Sequence, residues 1–171
     1  MSAAPGPIIH RASVQEHFCK KQVAKDTGWK SGGIAPRHTP FAITYPMPAG
    51  WVWRALRLTS TTGKDYGLLF QVNPELHKWK AMLFHWVANG HASAVMRFED
   101  QPGKRGGGLH IHAHCDQGHG LAGAKSVEMC YTLPEHGQRR RRRGAWTRAN
   151  FVNAAGRFFR VNNDIDQGEL L

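Results

Sequence analysis

The sequence predicts an α+β domain: a single antiparallel sheet of about five or six strands with an N-terminal and a C-terminal helix. Short β-like segments separated by turn residues recur through the middle of the chain. A capping-box pattern precedes them, and an apolar stripe at helical spacing follows them. We expect one globular domain over residues 13–161, a flexible arm over 1–12 and a loose acidic tail over 162–171.

Composition narrows the class of protein. The chain has 171 residues and is 41% hydrophobic, enough to bury one core. Its formal net charge of +11 favours a polyanionic partner, with nucleic acid ahead of a membrane surface. We expect no membrane partner, since no apolar run reaches about 18 residues, and no signal peptide. The three cysteines are interpreted as reduced thiols, which predicts a cytoplasmic protein.

The first predicted element is a helix over residues 14–27. Ser13 and Glu16 have the spacing of a capping box, and Gly28 is a typical helix stop. Three lysines would give this helix a solvated basic flank: Lys20, Lys21 and Lys25. The glycines and prolines of residues 29–40 then indicate a linker.

The sheet is predicted from the segments that come next. A short β-like run over residues 41–46 precedes strands over 51–59 and 66–72. Residues 75–88 fit both helical and strand spacing. Asn89-Gly90 favours a hairpin of residues 80–88 and 91–98, because a type I′ turn needs positive φ at both central positions.

A histidine strand is the candidate site. Residues 109–115 alternate Leu-His-Ile-His-Ala-His-Cys, so one strand face carries the histidine row: His110, His112 and His114. Next-but-one residues on a strand lie about 6.5 Å apart, close enough to share a metal, a phosphate or a proton relay. Histidine is a frequent ligand and acid/base because its pKa is near neutral. A plain polar strand face is the alternative.

Three chemistries fit the histidine row. The first is a divalent ion (Mn²⁺, Mg²⁺ or Zn²⁺) on His110 and His112, acting as a Lewis acid on a phosphodiester. Further ligands would come from nearby residues: His114, Cys115, Asp116 and His119, or Glu99 and Asp100 if their strand pairs with this one. The second is metal-free, with one imidazole attacking phosphorus and another protonating the leaving oxygen. The third is a structural zinc site.

Basic residues flank the histidine row. Lys104 and Arg105 lie in a predicted glycine-rich loop over residues 99–108, where backbone N–H groups can approach a phosphate. A mobile hairpin tip is the alternative for that loop. A predicted basic loop over 134–145 holds five arginines that can bind phosphates or serve as a localisation tag: Arg139, Arg140, Arg141, Arg142 and Arg143.

The chain is expected to end its folded part with a strand and a helix. The strand is predicted over residues 126–133 and the helix over 148–161. The helix has an apolar stripe that indicates core: Phe151, Val152, Ala155, Phe158 and Phe159. Arg148 can face outward from it and bind nucleic acid.

Leu109-His110-Ile111-His112 resembles the His-hydrophobic-His element of HUH endonucleases, which nick single-stranded DNA in rolling-circle replication, conjugation and transposition. In that family the two histidines bind a divalent ion and a tyrosine attacks the phosphate, which implies His110 and His112 as ligands. Residues 41–46 resemble a first motif of viral replication initiators in the family. The last predicted helix has no tyrosine, so Tyr131 is the nearest candidate nucleophile after the histidines.

The segment from His110 to Asp116 is also similar to the motif of histidine-triad nucleotide hydrolases. That resemblance implies His112 as nucleophile, supported by His110 and His114, although Asp116 stands where the pattern has a hydrophobic residue. The charge favours a polymer over a mononucleotide, because each neutralised phosphate adds binding free energy through counterion release. The leading hypothesis is therefore a nucleic-acid phosphodiesterase with a histidine metal site, acting on single strands. A triad-type hydrolase and a non-catalytic nucleic-acid-binding protein are the alternatives.

Overall fold

A computed structural model describes residues 16–41, 43–86, 92–101, 108–115, 127–132 and 145–162, with the backbone alone at 110–115 and 127–132. These residues form a seven-stranded antiparallel meander in which every strand pairs with its neighbours in sequence. The strands are β1 (Lys21–Asp26), β2 (Val52–Ser60), β3 (Asp65–Asn73), β4 (Lys78–Trp86), β5 (Ala92–Gln101), β6 (Gly108–Cys115) and β7 (Val127–Thr132). One α-helix, α1 (Arg148–Phe158), follows the last strand.

The antiparallel sheet and the C-terminal helix are confirmed, and the sheet has one strand more than the upper expectation. The ambiguous residues 75–88 contain strand β4, as the Asn-Gly signal predicted. Among the described residues of the predicted run 41–46, none belongs to a strand, and Tyr45 makes an isolated bridge to Ile34. Within the described ranges, no helix has the length and apolar character needed to cross a membrane.

The predicted N-terminal helix is wrong. Glu16–Phe18 forms only a 3₁₀ turn, and β1 is an edge strand paired with β2. Five of the six β1 residues are exposed, so no apolar alternation marks the strand; its pairing with β2 stabilises it instead. Lys21, expected in a solvated flank, is 1% exposed. Its Nζ donates hydrogen bonds to three carbonyl oxygens: those of His17 (2.6 Å), Cys19 (2.9 Å) and Phe159 (2.9 Å).

Helix α1 covers one face of the sheet, called here the helix face. Its N-terminus is a capping box, in which Thr147 Oγ1 accepts from the Asn150 N–H and Asn150 Oδ1 accepts from the Thr147 N–H. The buried Phe151 ring lies among four aromatic side chains: Phe70, Trp79, Phe98 and Trp146. These contacts build the larger of the two cores.

The linker that precedes β2 covers part of the opposite face, called here the linker face. Ile34 is fully buried there, and Tyr45 and Met47 lie against the same smaller core. The sheet contributes buried residues from four strands to this core: Trp53, Ala55, Leu69, Phe84 and Ala92. The smaller core therefore joins the linker to the linker face of β2 to β5.

Candidate functional site

The pairing of β5 with β6 brings two charged residues beside the histidine strand. Glu99 is the register partner of His110, and Arg97 is the register partner of His112. Residues directly opposite each other on an antiparallel pair share a face, with Cβ atoms about 4.5–5.5 Å apart. On β4 the partners of Glu99 and Arg97 are Lys80 and Met82. Lys80 and Met82 precede Phe84 by four and two residues on β4, so all three positions lie on the face of the smaller core. The register therefore places the positions of Glu99, Arg97, His110 and His112 on the linker face.

Glu99 is a buried carboxylate between cations. Its residue is 4% exposed, and its Oε2 lies 2.8 Å from Arg97 Nε. Lys80 is its register partner on the other side. Burial lowers the pKa of Lys80, and the charge of Arg97 lowers it further, whereas the charge of Glu99 acts in the opposite direction. A cluster of charged groups thus lies directly beside the backbone position of His110.

Strand β7 completes the neighbourhood of the histidine row. His110 pairs with Thr132, His112 with Cys130 and His114 with Glu128. Tyr131 is opposite Ile111, on the set of positions that alternates with the histidines. Asp100 belongs to that alternate set on β5, since it pairs with Leu109 and its Oδ2 accepts a 2.7 Å hydrogen bond from Trp146 Nε1. Sequence reasoning missed three residues that only the register brings to this row: Lys80, Arg97 and Glu128.

Several candidate residues lie outside the described ranges: Lys104, Arg105, His119, Arg139, Arg140, Arg141, Arg142 and Arg143. Arg148 is described, and it is exposed in the first turn of α1. Its guanidinium carbon lies 5.5 Å from the centroid of the Trp29 ring. Arg148 therefore belongs to the helix side of the molecule, and not to the face of the histidine row.

A metal at this row would draw on one carboxylate and two imidazoles. Among the side chains that the structure describes, no group of three or more His, Cys, Asp or Glu could hold a metal ion. The donor set is instead the described Glu99 with the register positions of His110 and His112. Imidazole nitrogen and carboxylate oxygen together suit Zn²⁺ and Mn²⁺, so the residue types fit a divalent ion.

A second cluster of titratable groups lies on the helix face. His17 Nδ1 is 3.0 Å from Tyr66 Oη, and the His85 ring centroid is 5.1 Å from that of His17. Burial, followed by the charge of His85, lowers the pKa of His17 to about 4. Burial also raises the pKa of the Tyr66 phenol. At neutral pH this cluster holds an uncharged imidazole hydrogen-bonded to an uncharged phenol, which is a structural contact within the core.

The site is thus a row of positions running across β4, β5, β6 and β7 on one face of the sheet. Comparisons with protein-family models, with curated proteins and with solved structures found no match to the chain.

Proposed function

We propose that the protein is a nucleic-acid-directed phosphodiesterase with a divalent metal site at the histidine strand. The observation that carries the proposal is the β5–β6 register, in which Glu99 is opposite His110 and Arg97 is opposite His112. A bound divalent ion would supply Lewis-acid activation of the phosphodiester. His110, His112 and Glu99 are the ligands we assign to it.

The remaining residues of the row would position the substrate and transfer protons. Arg97, beside both Glu99 and the His112 position, is suited to bind a non-bridging phosphate oxygen. A water molecule would attack phosphorus, and His114 would protonate the leaving oxygen, with Glu128 as its register partner available to orient the imidazole. We assign no covalent attack to Tyr131, because its register partner is Ile111 and not a histidine.

The preference for a polymeric substrate rests on charge. A net charge of +11 gains affinity with each phosphate contacted, and a mononucleotide offers few such contacts. The His110-Ile111-His112 element resembles that of HUH endonucleases, which act on single-stranded DNA. Single-stranded nucleic acid is therefore the substrate class we propose.

The test combines metal content with cleavage. Protein purified without a histidine tag is analysed for bound metal and then assayed with Mn²⁺ on labelled single-stranded DNA and RNA. The double variant His110→Ala/His112→Ala should lose both metal and cleavage, and Glu99→Gln should lose roughly tenfold or more of each. Asp100→Asn is the matched control, since it neutralises the neighbouring carboxylate on the alternate set of positions and should keep both.

Each alternative gives a different result. Unchanged cleavage in the double variant overturns the proposal. Turnover of small nucleotides in EDTA that His112→Ala abolishes would identify a triad-type hydrolase instead. Nucleic-acid binding with no turnover in any metal would identify a non-catalytic binding protein.

A further inference from the structure

A basic pocket lies on the linker face, at the β1 end of the sheet and separate from the histidine row. Its volume is about 450 Å³. Residues from the linker and from strands β1 to β4 form its lining, which includes Lys25, Arg37, Arg57, Gly67, Phe84 and Trp86. None of these residues belongs to the site proposed above.

The charges of the basic pocket are brought together by strand register. Lys25 on β1 is the direct partner of Arg57 on β2. Like charges directly opposite each other on paired strands repel, and an anion bound between them would reduce that repulsion. Arg37, from a 3₁₀ turn (Pro36–His38), adds a third cation to the lining. A phosphate would relieve the repulsion, and guanidinium groups bind phosphate oxygens in pairs.

The carboxylates near the pocket do not balance its positive charge. Asp65 Oδ2 lies 3.1 Å from an Arg57 terminal nitrogen, in a pair whose side chains are 43% and 49% exposed. Asp26 pairs instead with Arg54, at 2.6 Å. Asp65 therefore pairs with one of the three cations of the pocket lining, Arg57.

The pocket also offers planar groups. The Arg57 guanidinium carbon lies 4.9 Å from the centroid of the Trp86 ring, and Phe84 meets Trp86 edge-on at 5.6 Å. Gly67 is the register partner of both Arg57 and Phe84, and a Cβ at this position would overlap the Phe84 ring. The glycine therefore lets the Phe84 ring lie across β3. Nucleic-acid bases stack on aromatic rings and on guanidinium planes of this kind.

We propose that the basic pocket binds one phosphate and the adjacent base of a single-stranded nucleic acid. The pocket and the histidine row share the linker face, and Phe84 on β4 is two strands from β6, about 10 Å at the usual strand spacing. A strand held in the pocket can therefore continue along this face to the histidine row. The inference rests on the proposed function for its choice of ligand, and it adds a site that holds the substrate away from the reacting phosphate.

The test measures binding of a fluorescein-labelled oligo(dT) strand to the full chain over a series of KCl concentrations. Lys25→Gln/Arg37→Gln should weaken binding and reduce the slope of log K against log [KCl] by about 0.7, the contribution of one phosphate contact on a single strand. Both side chains are exposed, so the fold should tolerate the change. Lys20→Gln/Arg157→Gln is the matched control, since it removes the same charge from exposed positions outside the pocket lining and should keep the wild-type slope.

A third variant tests the base separately from the phosphate. Trp86→Leu removes the ring beneath Arg57 and should weaken oligo(dT) binding about tenfold with an unchanged salt slope. Its folded fraction is checked by urea unfolding. An unaltered affinity in a folded Trp86→Leu protein overturns the assignment of a base to the pocket.

The outcomes also separate this inference from the proposed function. Equal slopes in the pocket and control double variants, no binding by wild type, or dTMP binding as tight as oligo(dT) each overturn the inference. If wild type cleaves single strands but the pocket and control double variants have the same salt slope, only the pocket assignment is wrong. If the salt slope changes in the pocket double variant alone and the protein cleaves no substrate, the pocket is supported and only the phosphodiesterase proposal is wrong.

Discussion

The two faces of the sheet differ in what surrounds their buried centres. On the helix face, eighteen of the described residues form one apolar cluster in which the Phe151 ring joins strands to helix. On the linker face, only six form the apolar cluster, and beside it lie the buried polar residues Gln71 and Glu99 and the basic pocket. Because apolar burial stabilises a fold, the larger cluster makes the helix face the main source of stability, and the linker face is where we propose binding chemistry.

The largest expected effect on stability comes from a substitution in the core of the helix face. Phe151→Ala removes a fully buried ring and leaves a cavity among its aromatic neighbours, which should lower the free energy of unfolding by about 3–5 kcal/mol. Urea unfolding followed by circular dichroism measures the loss. Arg157→Ala on the exposed side of the same helix is the control, expected to stay within about 0.5 kcal/mol of wild type. A Phe151→Ala loss no greater than the control's would contradict this division of roles.

The next effect tests charge on the linker face. Glu99→Gln leaves the Arg97 guanidinium, 19% exposed, without its carboxylate partner and should cost about 3 kcal/mol of unfolding free energy. Replacing both residues, as Glu99→Gln/Arg97→Met, should recover part of the loss because the Arg97 cation is removed while Lys80 remains. If the double variant is less stable than Glu99→Gln, the ion pair is not the origin of the effect.

A smaller effect, about 2 kcal/mol of unfolding free energy lost on acidification, is expected from His17 on the helix face. The pKa of His17 is lowered from 6.5 to about 4, so between those pH values the unfolded chain binds a proton that the folded chain does not. The contribution of His17 to stability is therefore complete above pH 6.5 and is lost as the pH falls toward 4. His17→Asn should flatten the dependence of unfolding free energy on pH in this window. An unchanged pH dependence would show that other groups cause it.

The smallest expected effect on stability comes from Asp65, the carboxylate partner of Arg57 at the basic pocket. Asp65→Asn removes an exposed partner of Arg57 and should change stability by less than about 0.5 kcal/mol. The same change adds net positive charge at the pocket and should tighten oligo(dT) binding, more at low salt than at high salt. Anisotropy titrations at two KCl concentrations measure this. Tighter binding by the same factor at both concentrations would contradict the electrostatic explanation.

Local sequence patterns predicted the strands and the helix that have a regular apolar spacing or lie beside a strong turn signal. Strands β2 to β5 and helix α1 have such patterns, and each was predicted to within about three residues at its ends. Strand β1 was mistaken for a helix because its exposed residues carry no alternation, while the capping-box spacing of Ser13 and Glu16 is local and misleading. Only pairing with β2, which is distant in sequence, makes it a strand.

Only the histidine strand and Glu99 could be predicted from the sequence as parts of the candidate site. The alternation of the histidine strand and the placement of Glu99 near it follow from the sequence, if the strands pair. Arg97 and Glu128 carry no motif, and only the strand register makes them neighbours of His112 and His114. The basic pocket was out of reach for the same reason, since the error at β1 hid the pairing of Lys25 with Arg57.

Lys21 joins the beginning of the sheet to the end of the chain's last helix. Besides its Nζ contact with the Phe159 carbonyl, its N–H donates to the Arg160 carbonyl, and its own carbonyl accepts from the Asn162 N–H. A growing chain emerges from the ribosome N-terminus first, so β1 is synthesised long before these partners exist. Until then the Lys21 N–H and carbonyl on the outer edge of β1 lack these partners, and an open strand edge can pair with other chains. Residues 159–162 therefore complete the hydrogen bonding of Lys21, so a chain released before them would lack this link between the first strand of the sheet and the C-terminal helix.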